Sequence, residues 1–530
     1  MKRNFKKLEQ KTFDLAVIGG GIYGVWAAYD AALRGLTCAV IDKGDWGSAA
    51  SSASSKLIHG GLRYLEHFEF GLVRKSLIER ERLLRLGPHR VRPLRIVTPV
   101  YKNGRVPLWK LKCGLWLYDK LSLSKSSIPT HDFLDVSETK RLYPHISDKN
   151  LQGAFVYSDA SVDDFRLTFE ILSGAVGEGA VAVNYAEATH IKIANREIKE
   201  IVVKNRLNNE TASLKAKAFV LTPGPWLKLF YEQYVPSKIP LRLSKGVHLI
   251  MPKLSSKEGF LLTTRRDRRV IFLLPWYDRT ILGTTDSDFS GNPSDVKVEP
   301  QDVDYLLCEA NEQLPGLQWK KSDIQGSFAG VRALYDTGKK NPSDVSREWK
   351  CIQSLNNAVL SIGGKLTSAR EDASVLVNQV CKILGRKAGP SGTKNRLLPW
   401  CPHEEYMSWR RQVSSTLASL GLDTLLIETL IQRYGIHVSE IQSLIHKNEH
   451  LKTRIIPYLP FCHAEFIYVC QNEMVCTLED IMRRRIPIGI LQNIPKAVLF
   501  DLATTAGHIL GWDDTRQSQE VTDCFKRFGG

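Results

Sequence analysis

The chain has 530 residues, 43% of them hydrophobic and 24% charged, a composition that excludes an intrinsically disordered protein. This length is too great for one hydrophobic core, so two or three domains are expected. The net charge of +17 is concentrated in residues 1–120, which hold 22 Lys and Arg against 10 Asp and Glu. Such a field suits a phosphorylated substrate or an acidic lipid surface. Nucleic acid is not expected as a partner, because zinc-finger, RNA-binding and basic-zipper patterns are lacking.

The ten cysteines form no CxxC pair, and no secretory signal begins the sequence, so reduced thiols and a cytoplasmic location are expected. Cys401 and His403, and Cys462 and His463, come near metal-ligand spacing. Neither pair has a second pair of ligands close by, so no metal is expected. A spanning helix is excluded because no run of about 18 apolar residues occurs.

A dinucleotide-binding pattern begins the chain. Residues 14–18 (DLAVI) predict a buried strand, a glycine turn and a helix follow, and a second strand (37–41) ends at Asp42. Gly19 and Gly20 open the turn, Gly21 allows the backbone to approach a pyrophosphate, and Gly24 allows close packing of the helix. Asp42 would accept a hydrogen bond from a ribose hydroxyl. The pattern alone does not separate FAD from NAD.

Residues 51–66 read SSASSKLIHGGLRYLE, which suits neither an amphipathic helix nor a strand but does suit a loop lying along a flat cofactor. This segment resembles the FAD-dependent glycerol-3-phosphate dehydrogenase family. The same likeness recurs in SDASVDDFRL (158–167), PGPW (223–226), SKGVHLI (244–250), LPWYDRTILGTTD (274–286), AGVRAL (329–334), GGKLTSARE (363–371) and EMVCTLEDIMRRR (473–485). It therefore spans nearly the whole chain.

The resemblance implies FAD as the cofactor, held without a covalent bond because no His or Cys stands at an evident attachment motif. Beyond the glycine turn and Asp42, it implies that FAD is contacted by Ser51, Ser52, Ser54, Ser55, Lys56, His59, Gly60, Gly224, Gly364, Leu366 and Thr367. It also implies that Arg332 and Lys365 act in catalysis by holding the substrate phosphate, with Arg63, Tyr64 and Arg347 as further substrate contacts. Guanidinium and ammonium groups are the side chains that best fix a phosphate dianion.

The implied activity is oxidation of glycerol 3-phosphate to dihydroxyacetone phosphate. His248 is the expected catalytic base, since a neutral imidazole suits proton abstraction near pH 7. His59 is the competing candidate, although a flavin contact fits it better. Tyr23, Trp26, Pro223 and Ala369 depart from the family pattern, and they leave the electron acceptor open.

The expected fold class is α/β plus α. A Rossmann-type FAD-binding domain (12–388) is assembled from distant segments, an antiparallel sheet of about 240–350 forms the substrate cap, and a helical domain (396–525) follows. The linker is predicted in GRKAGPSGTKN (385–395), after which apolar residues recur at helical spacing.

The electron acceptor is either quinone or oxygen. Residues 105–121 (RVPLWKLKCGLWLYDKL) interleave aromatic, aliphatic and basic residues, which suits a segment lying on an anionic bilayer, peripheral on the cytoplasmic face of the inner membrane. An ordinary helix buried against the FAD domain is the alternative. A homodimer stays open.

Two rival functions remain. A flavin oxidase of another small hydroxy acid or amine would leave the Arg63, Arg332 and Lys365 cluster without a purpose. A non-enzymatic protein with a degenerate flavin fold would show broken motifs, whereas these motifs are intact.

Overall fold

The computed structural model describes residues 1–122, 127–235, 238–338 and 348–528. In chain order the strands are β1 (Phe13–Ile18), β2 (Cys38–Ile41), β3 (Leu57–Ile58), β4 (Val91–Tyr101), β5 (Asp132–Leu134), β6 (Leu151–Val162), β7 (Val181–Val183), β8 (Ala186–Ala194), β9 (Glu197–Asn205), β10 (Thr211–Leu214), β11 (Ala216–Leu221), β12 (Leu241–Pro252), β13 (Gly259–Thr263), β14 (Val270–Trp276), β15 (Arg279–Gly283), β16 (Ser287–Asp288), β17 (Gly326–Tyr335), β18 (Trp349–Leu355) and β19 (Ala358–Gly363).

The helices are α1 (Ile22–Leu33), α2 (Phe70–Leu86), α3 (Leu108–Leu121), α4 (Val136–Leu142), α5 (Asp164–Gly177), α6 (Leu227–Tyr231), α7 (Pro300–Gln313), α8 (Ala369–Ile383), α9 (Tyr406–Ser419), α10 (Thr424–Tyr434), α11 (Val438–Lys447), α12 (His463–Asn472), α13 (Leu478–Asp480), α14 (Ile488–Leu491), α15 (Lys496–Leu510) and α16 (Asp514–Phe528). Within the described residues, none of them combines the length and the apolar composition needed to cross a bilayer.

A six-stranded sheet forms the dinucleotide-binding layer, in the order β18-β19-β11-β1-β2-β7. Strands β19, β11, β1, β2 and β7 run parallel, and β18 is antiparallel to β19 at one edge. All six residues of β1 are buried, as expected for a parallel strand covered on both faces. The sheet draws its strands from residues 13 to 363, which confirms the predicted assembly from distant segments.

A ten-stranded, mainly antiparallel sheet lies beside it, in the order β16-β12-β15-β14-β13-β4-β6-β3, with β17 pairing to β12 and β5 to β6. The expected cap strands of residues 240–350 are present, but β4 and β6 from the first third of the chain also belong to this sheet. They join it through a parallel contact between β13 and β4. The cap is therefore wider than its sequence pattern indicated.

The helices beyond residue 400 pack on the ten-stranded sheet through one apolar core that includes Ile96, Phe155, Ile250, Leu430 and Phe466. Ion pairs sealed from water also join the two parts of the chain. Arg166 of α5, for example, donates to both carboxylate oxygens of Glu473 at 2.7 and 2.9 Å. The predicted C-terminal helical region is thus docked against the rest of the molecule.

Candidate active site

The glycine turn lies at the carboxyl end of β1, where the sequence pattern predicts a pyrophosphate. Gly19 has φ +109°, and a Cβ atom at Gly24 would stand 1.9 Å from the Gly19 carbonyl oxygen, so both positions need glycine for backbone reasons. A Cβ at Gly20 would meet the ring of Trp46. At Gly21 the nearest atom would be Ser51 Oγ, 3.1 Å away. Gly21 is therefore the glycine of the turn that leaves space for a ligand.

Asp42 lies directly after β2, as predicted. Its two carboxylate oxygens accept the backbone N–H groups of Gly20 (2.7 Å) and Gly44 (2.9 Å). Burial raises the pKa of Asp42 to about 6. Each oxygen keeps a further lone pair, and the residue lines the same large cavity as Gly19 and Gly21.

The serine-rich segment divides into side chains that face this cavity and side chains that do not. Ser51, Ser54 and Ser55 line the cavity. Ser52 is buried, with its hydroxyl near the Ala49 carbonyl (3.5 Å). The Lys56 ammonium is turned away, because it forms a buried ion pair with Asp164.

The backbone N–H groups of His59 and Gly60 connect this segment to other parts of the chain. The His59 N–H donates to Thr367 Oγ1 at 3.1 Å, which ties the serine-rich segment to the residues before α8. Burial lowers the pKa of His59 to about 4. Gly60 donates to the Tyr118 hydroxyl at 2.8 Å, and it packs so closely on Leu77 that a Cβ would stand 2.6 Å from that side chain.

His248 lies in the middle of β12 and is buried. Its Nε2 shares a hydrogen bond of 2.9 Å with Ser55 Oγ, and its ring stacks on Phe328 of β17 with 4.7 Å between centroids. Burial, together with the cations Arg332 and Lys56, holds the pKa of His248 well below its usual range. The imidazole is therefore neutral near pH 7, and it reaches the cavity through the Ser55 hydroxyl.

Arg332 of β17 and Lys365, which lies between β19 and α8, line one cavity. Arg332 donates to Thr284 Oγ1 at 2.8 Å and lies over Gly246, where a Cβ would stand 2.2 Å from its Nη2. The Lys365 ammonium lies 3.9 Å from the ring centroid of Tyr64 and 3.4 Å from Ser76 Oγ. The two predicted phosphate contacts thus lie on the wall of one cavity, and Tyr64, a predicted substrate contact, lies beside Lys365.

The remaining predicted substrate contacts are not brought to the same place. Arg63 lines a second, more apolar cavity, on the other side of the short 3₁₀ turn Leu62–His67 that carries Tyr64. Arg347 lies outside the described residues, so its role stays a prediction.

The segment before α8 closes the site from the opposite side. Gly364 and Leu366 line the cavity, as does Gly224 of the PGPW segment, whose φ is +56°. Tyr23 of α1 accepts the Lys365 N–H at 3.0 Å and donates to Asp372 at 2.8 Å. Its hydroxyl therefore fixes the backbone at Lys365.

The cavity has a volume of about 1970 Å³ and runs from the glycine turn to Arg332 and Lys365. Its wall also contains residues of the C-terminal helices that were not predicted, among them Arg483. Arg483 Nη1 is buried and has no hydrogen-bond partner among the described residues, and the guanidinium lies 5.5 Å from the Phe328 ring. The arginine run 483–485 was the available sequence signal for this contribution.

Comparison with known proteins agrees with this geometry. Residues 14–347 match the family model of FAD dependent oxidoreductases, and residues 393–517 match that of the C-terminal domain of alpha-glycerophosphate oxidase. A glycerol-3-phosphate dehydrogenase of Synechocystis sp. is 34% identical over 98% of this chain and 97% of its own length. The chain belongs to the FAD-dependent glycerol-3-phosphate dehydrogenase family.

Three further proteins are similar in sequence or in structure. An aerobic glycerol-3-phosphate dehydrogenase of Staphylococcus aureus is 30% identical over 91% of this chain and 87% of its own length. A solved glycerol-3-phosphate dehydrogenase from Bacillus halodurans, complexed with FAD, superposes with a TM-score of 0.80 at 25% identity and covers 98% of this chain and 95% of that one. The α-glycerophosphate oxidase of Mycoplasma pneumoniae shares the fold, with a TM-score of 0.58 at 17% identity over 74% of this chain and 100% of that one.

FAD is the cofactor of this family, and the residues present fit it. The cavity begins at a glycine turn whose third glycine leaves space for a ligand, and it passes the carboxylate of Asp42. It continues along Ser51, Ser54 and Ser55 to the two cations Arg332 and Lys365. The neutral His248 lies behind Ser55. An extended dinucleotide with a flat reactive ring is the kind of molecule that such a cavity suits.

Proposed function

We propose that the protein oxidises glycerol 3-phosphate to dihydroxyacetone phosphate and passes the electrons to a membrane quinone. The observation that carries the substrate assignment is the placing of Arg332 and Lys365 on the wall of the cavity that begins at the glycine turn. Two cationic side chains at the reactive end of a flavin site favour the binding of an anionic substrate. Arg332 also lies 3.5 Å from Asp286. A neutral hydroxy compound or an amine would gain no charge-assisted contact from either cation, whereas a phosphate would gain one from each.

Oxidation of a secondary alcohol removes a hydride from carbon and a proton from the hydroxyl oxygen. FAD supplies the hydride acceptor when bound, and the protein supplies the substrate geometry and the base. Arg332 of β17 donates to Thr284, which follows β15, and the Lys365 ammonium lies over the Tyr64 ring. Both cations are therefore positioned before the substrate arrives.

We assign the proton acceptor to His248, acting through Ser55. The Ser55 hydroxyl lies on the cavity wall and shares a hydrogen bond of 2.9 Å with Nε2 of His248. In the tautomer that carries its proton on Nδ1, Nε2 accepts from Ser55. A substrate hydroxyl that donates to Ser55 Oγ would pass its proton on to His248, which becomes the imidazolium. The low pKa of His248 keeps the accepting form available at neutral pH.

Alanine at Arg332 or Lys365 should each lower kcat/KM for glycerol 3-phosphate by about 30- to 150-fold, because a charge-assisted contact to phosphate contributes about 2–3 kcal/mol. The loss should appear mainly in KM, with FAD still bound. Lys253→Ala is a suitable control, since this lysine is exposed at the end of β12 and pairs with Asp278. Wild-type kcat/KM in both the Arg332 and the Lys365 variant would contradict the phosphate assignment.

The surface around α3 supports membrane docking. Only Leu115 and Tyr118 of this helix are buried, whereas Trp109 and Trp116 are 67% and 58% exposed. One face of this helix packs on the protein through Leu115 and Tyr118, as the alternative of a helix buried against the FAD domain also expects, and the opposite face exposes both tryptophans. Exposed Phe68 follows the 3₁₀ turn and exposed Phe70 begins α2, and both line the second cavity. Basic residues lie on α3 or line the same cavity: Arg105, Lys110, Lys112, Lys120, Arg265 and Arg268. We define these residues as the α3 surface.

The second cavity opens at this surface. It has a volume of about 570 Å³ and is lined largely by apolar residues, including Leu62, Leu65, Val100, Leu111 and Leu117. One 3₁₀ turn separates it from the flavin cavity, because Arg63 faces the second cavity while the adjacent Tyr64 contacts Lys365. An apolar acceptor dissolved in the bilayer would reach the reduced cofactor by this short route, which favours quinone over oxygen.

Anionic vesicles should bind the protein more tightly than neutral vesicles, because each Lys or Arg near the surface adds about 1 kcal/mol. Raising the salt from about 0.1 M to about 1 M should weaken binding without abolishing it, since the apolar contribution is not screened. Serine at both Trp109 and Trp116 should reduce co-sedimentation. Phe500→Ser, which changes an exposed aromatic on α15, should not.

Unchanged vesicle binding in the double tryptophan variant would contradict the α3 surface as the anchor. Absence of binding to either lipid, together with rapid peroxide production in air, would favour an oxygen-reducing glycerol-3-phosphate oxidase instead.

A further inference from the structure

The turn after β2, residues 42–47, links the predicted ribose contact to the glycine turn. It begins with Asp42, and at its other end the Gly47 N–H donates to the Gly20 carbonyl at 3.1 Å. Trp46 is buried directly under Gly20, where a Cβ would stand 2.4 Å from its ring. A displacement of this turn would therefore move Asp42 and the glycine turn together.

The middle of this turn is held by the C-terminal region. Asp45 is buried, and its carboxylate accepts Arg484 Nε at 2.6 Å and Arg485 Nη2 at 2.9 Å, with Arg485 Nη1 as a third donor. Arg484 is itself paired with Asp480 at 2.8 Å, and the Asp480 carboxylate accepts the Tyr185 hydroxyl at 2.6 Å. The two arginines lie about 440 residues from Asp45 along the chain.

The Asp45 carboxyl is ionised in this setting. Burial alone would raise its pKa, but Arg485 and Arg484 more than offset that effect and lower the pKa below its usual value. Burying three charged side chains gains little net stability, because desolvation offsets the attraction between them. What the fork of donors does provide is a fixed orientation of the carboxylate, and therefore of the turn that carries it.

We propose that Asp45, Arg484 and Arg485 are positioning residues for FAD, through which the C-terminal helical region holds the 42–47 turn in its binding geometry. This inference rests on the proposed contact between Asp42 and the ribose. It gives the C-terminal region a function in cofactor binding although it lies far from the glycine turn in sequence. By linkage, FAD binding must in turn strengthen the docking of that region.

The test uses the full-length apoprotein, titrated with FAD and followed by flavin fluorescence. Asp45→Asn should raise the Kd for FAD by about tenfold or more, within the usual range of coupling between sites. Glu473→Gln is the matched control. Glu473 is also a buried carboxylate of the C-terminal region, and it pairs with Arg166 of α5 in the FAD-binding part of the chain. This ion pair does not include a residue of the 42–47 turn. The control should change the Kd by less than about threefold.

Hydrogen exchange provides a second readout that a general loss of stability would not reproduce. FAD should slow amide exchange in residues 476–485 of the wild type and of Glu473→Gln, but not of Asp45→Asn. If Asp45→Asn fails to fold, Arg485→Lys can be used instead. It keeps the positive charge but loses the two-pronged guanidinium contact, so it should also raise the Kd for FAD, by a smaller factor.

Wild-type FAD affinity in Asp45→Asn, or equal weakening in Asp45→Asn and Glu473→Gln, would overturn the proposal. Asp42→Ala separates this failure from that of the underlying assignment. If Asp42→Ala binds FAD normally, the assigned contact between Asp42 and the ribose is wrong. If Asp42→Ala binds FAD weakly while Asp45→Asn binds it normally, only the positioning role of Asp45, Arg484 and Arg485 is rejected.

Discussion

Replacing His248 by asparagine should lower kcat by about 10²- to 10⁴-fold while FAD stays bound, because a positioned general base contributes this much to proton transfer. The buried imidazole shares a hydrogen bond with Ser55 and stacks on Phe328, so the amide removes the base from a site that is otherwise intact. Ser55→Ala should show a smaller loss, since it removes the hydroxyl that connects the base to the cavity. Stopped-flow and steady-state rates per bound flavin would measure both effects.

The pH profile of the wild type provides an independent check of the base. The pKa of His248 is lowered, so the neutral form that accepts a proton persists below the usual histidine range. We therefore expect kcat to stay level from about pH 8 to about pH 6 and to fall only at lower pH. His131→Asn, which changes a histidine paired with Asp119 outside the cavity, serves as the control. A fall in kcat with a midpoint near the ordinary histidine pKa of about 6.5 would contradict the assignment of His248 as the base, and so would wild-type kcat in His248→Asn.

Valine at Gly21 should abolish FAD binding without unfolding the protein. The backbone there has φ −76°, which any residue adopts, and the nearest obstacle to a Cβ is Ser51 Oγ at 3.1 Å. The rest of the side chain would enter the space assigned to the pyrophosphate. The purified variant should be colourless, with a Tm close to that of the wild-type apoprotein.

Two other glycines separate this effect from a folding defect. Gly177→Val at the end of α5 meets nothing within 4 Å and should bind FAD as the wild type does. Gly24→Ala should destabilise the fold, because its Cβ would stand 1.9 Å from the Gly19 carbonyl oxygen. A Gly21→Val protein that retained the yellow cofactor would show that the pyrophosphate lies elsewhere.

The parts of the site that were predictable from sequence are those encoded locally. The strand, glycine turn, helix and second strand ending at Asp42 occupy adjacent residues, and the structure forms them as β1, α1 and β2. The fold class followed from the same regularity together with the family resemblance, and it is confirmed by the mixed sheets and the helical C-terminal region.

The parts that were not predictable depend on long-range pairing. Lys56 lies within the serine-rich motif, yet Asp164 from α5 pairs with its ammonium and turns it from the cavity. Arg63 follows the HGG motif, but the 3₁₀ turn directs it to the second cavity. The contact of Arg485 with Asp45 joins residues 440 apart, and no local pattern records such a contact.

The oxidation of glycerol 3-phosphate by the bound flavin can be measured by anaerobic mixing of this substrate with the purified holoprotein. We expect the visible absorbance of the oxidised flavin to be lost within the turnover time, and dihydroxyacetone phosphate to form in an amount equal to the bound flavin. Glycerol, which lacks the phosphate that Arg332 and Lys365 are placed to hold, should leave the spectrum unchanged at the same concentration. A flavin that stays oxidised with glycerol 3-phosphate, or that glycerol reduces equally fast, would contradict the account.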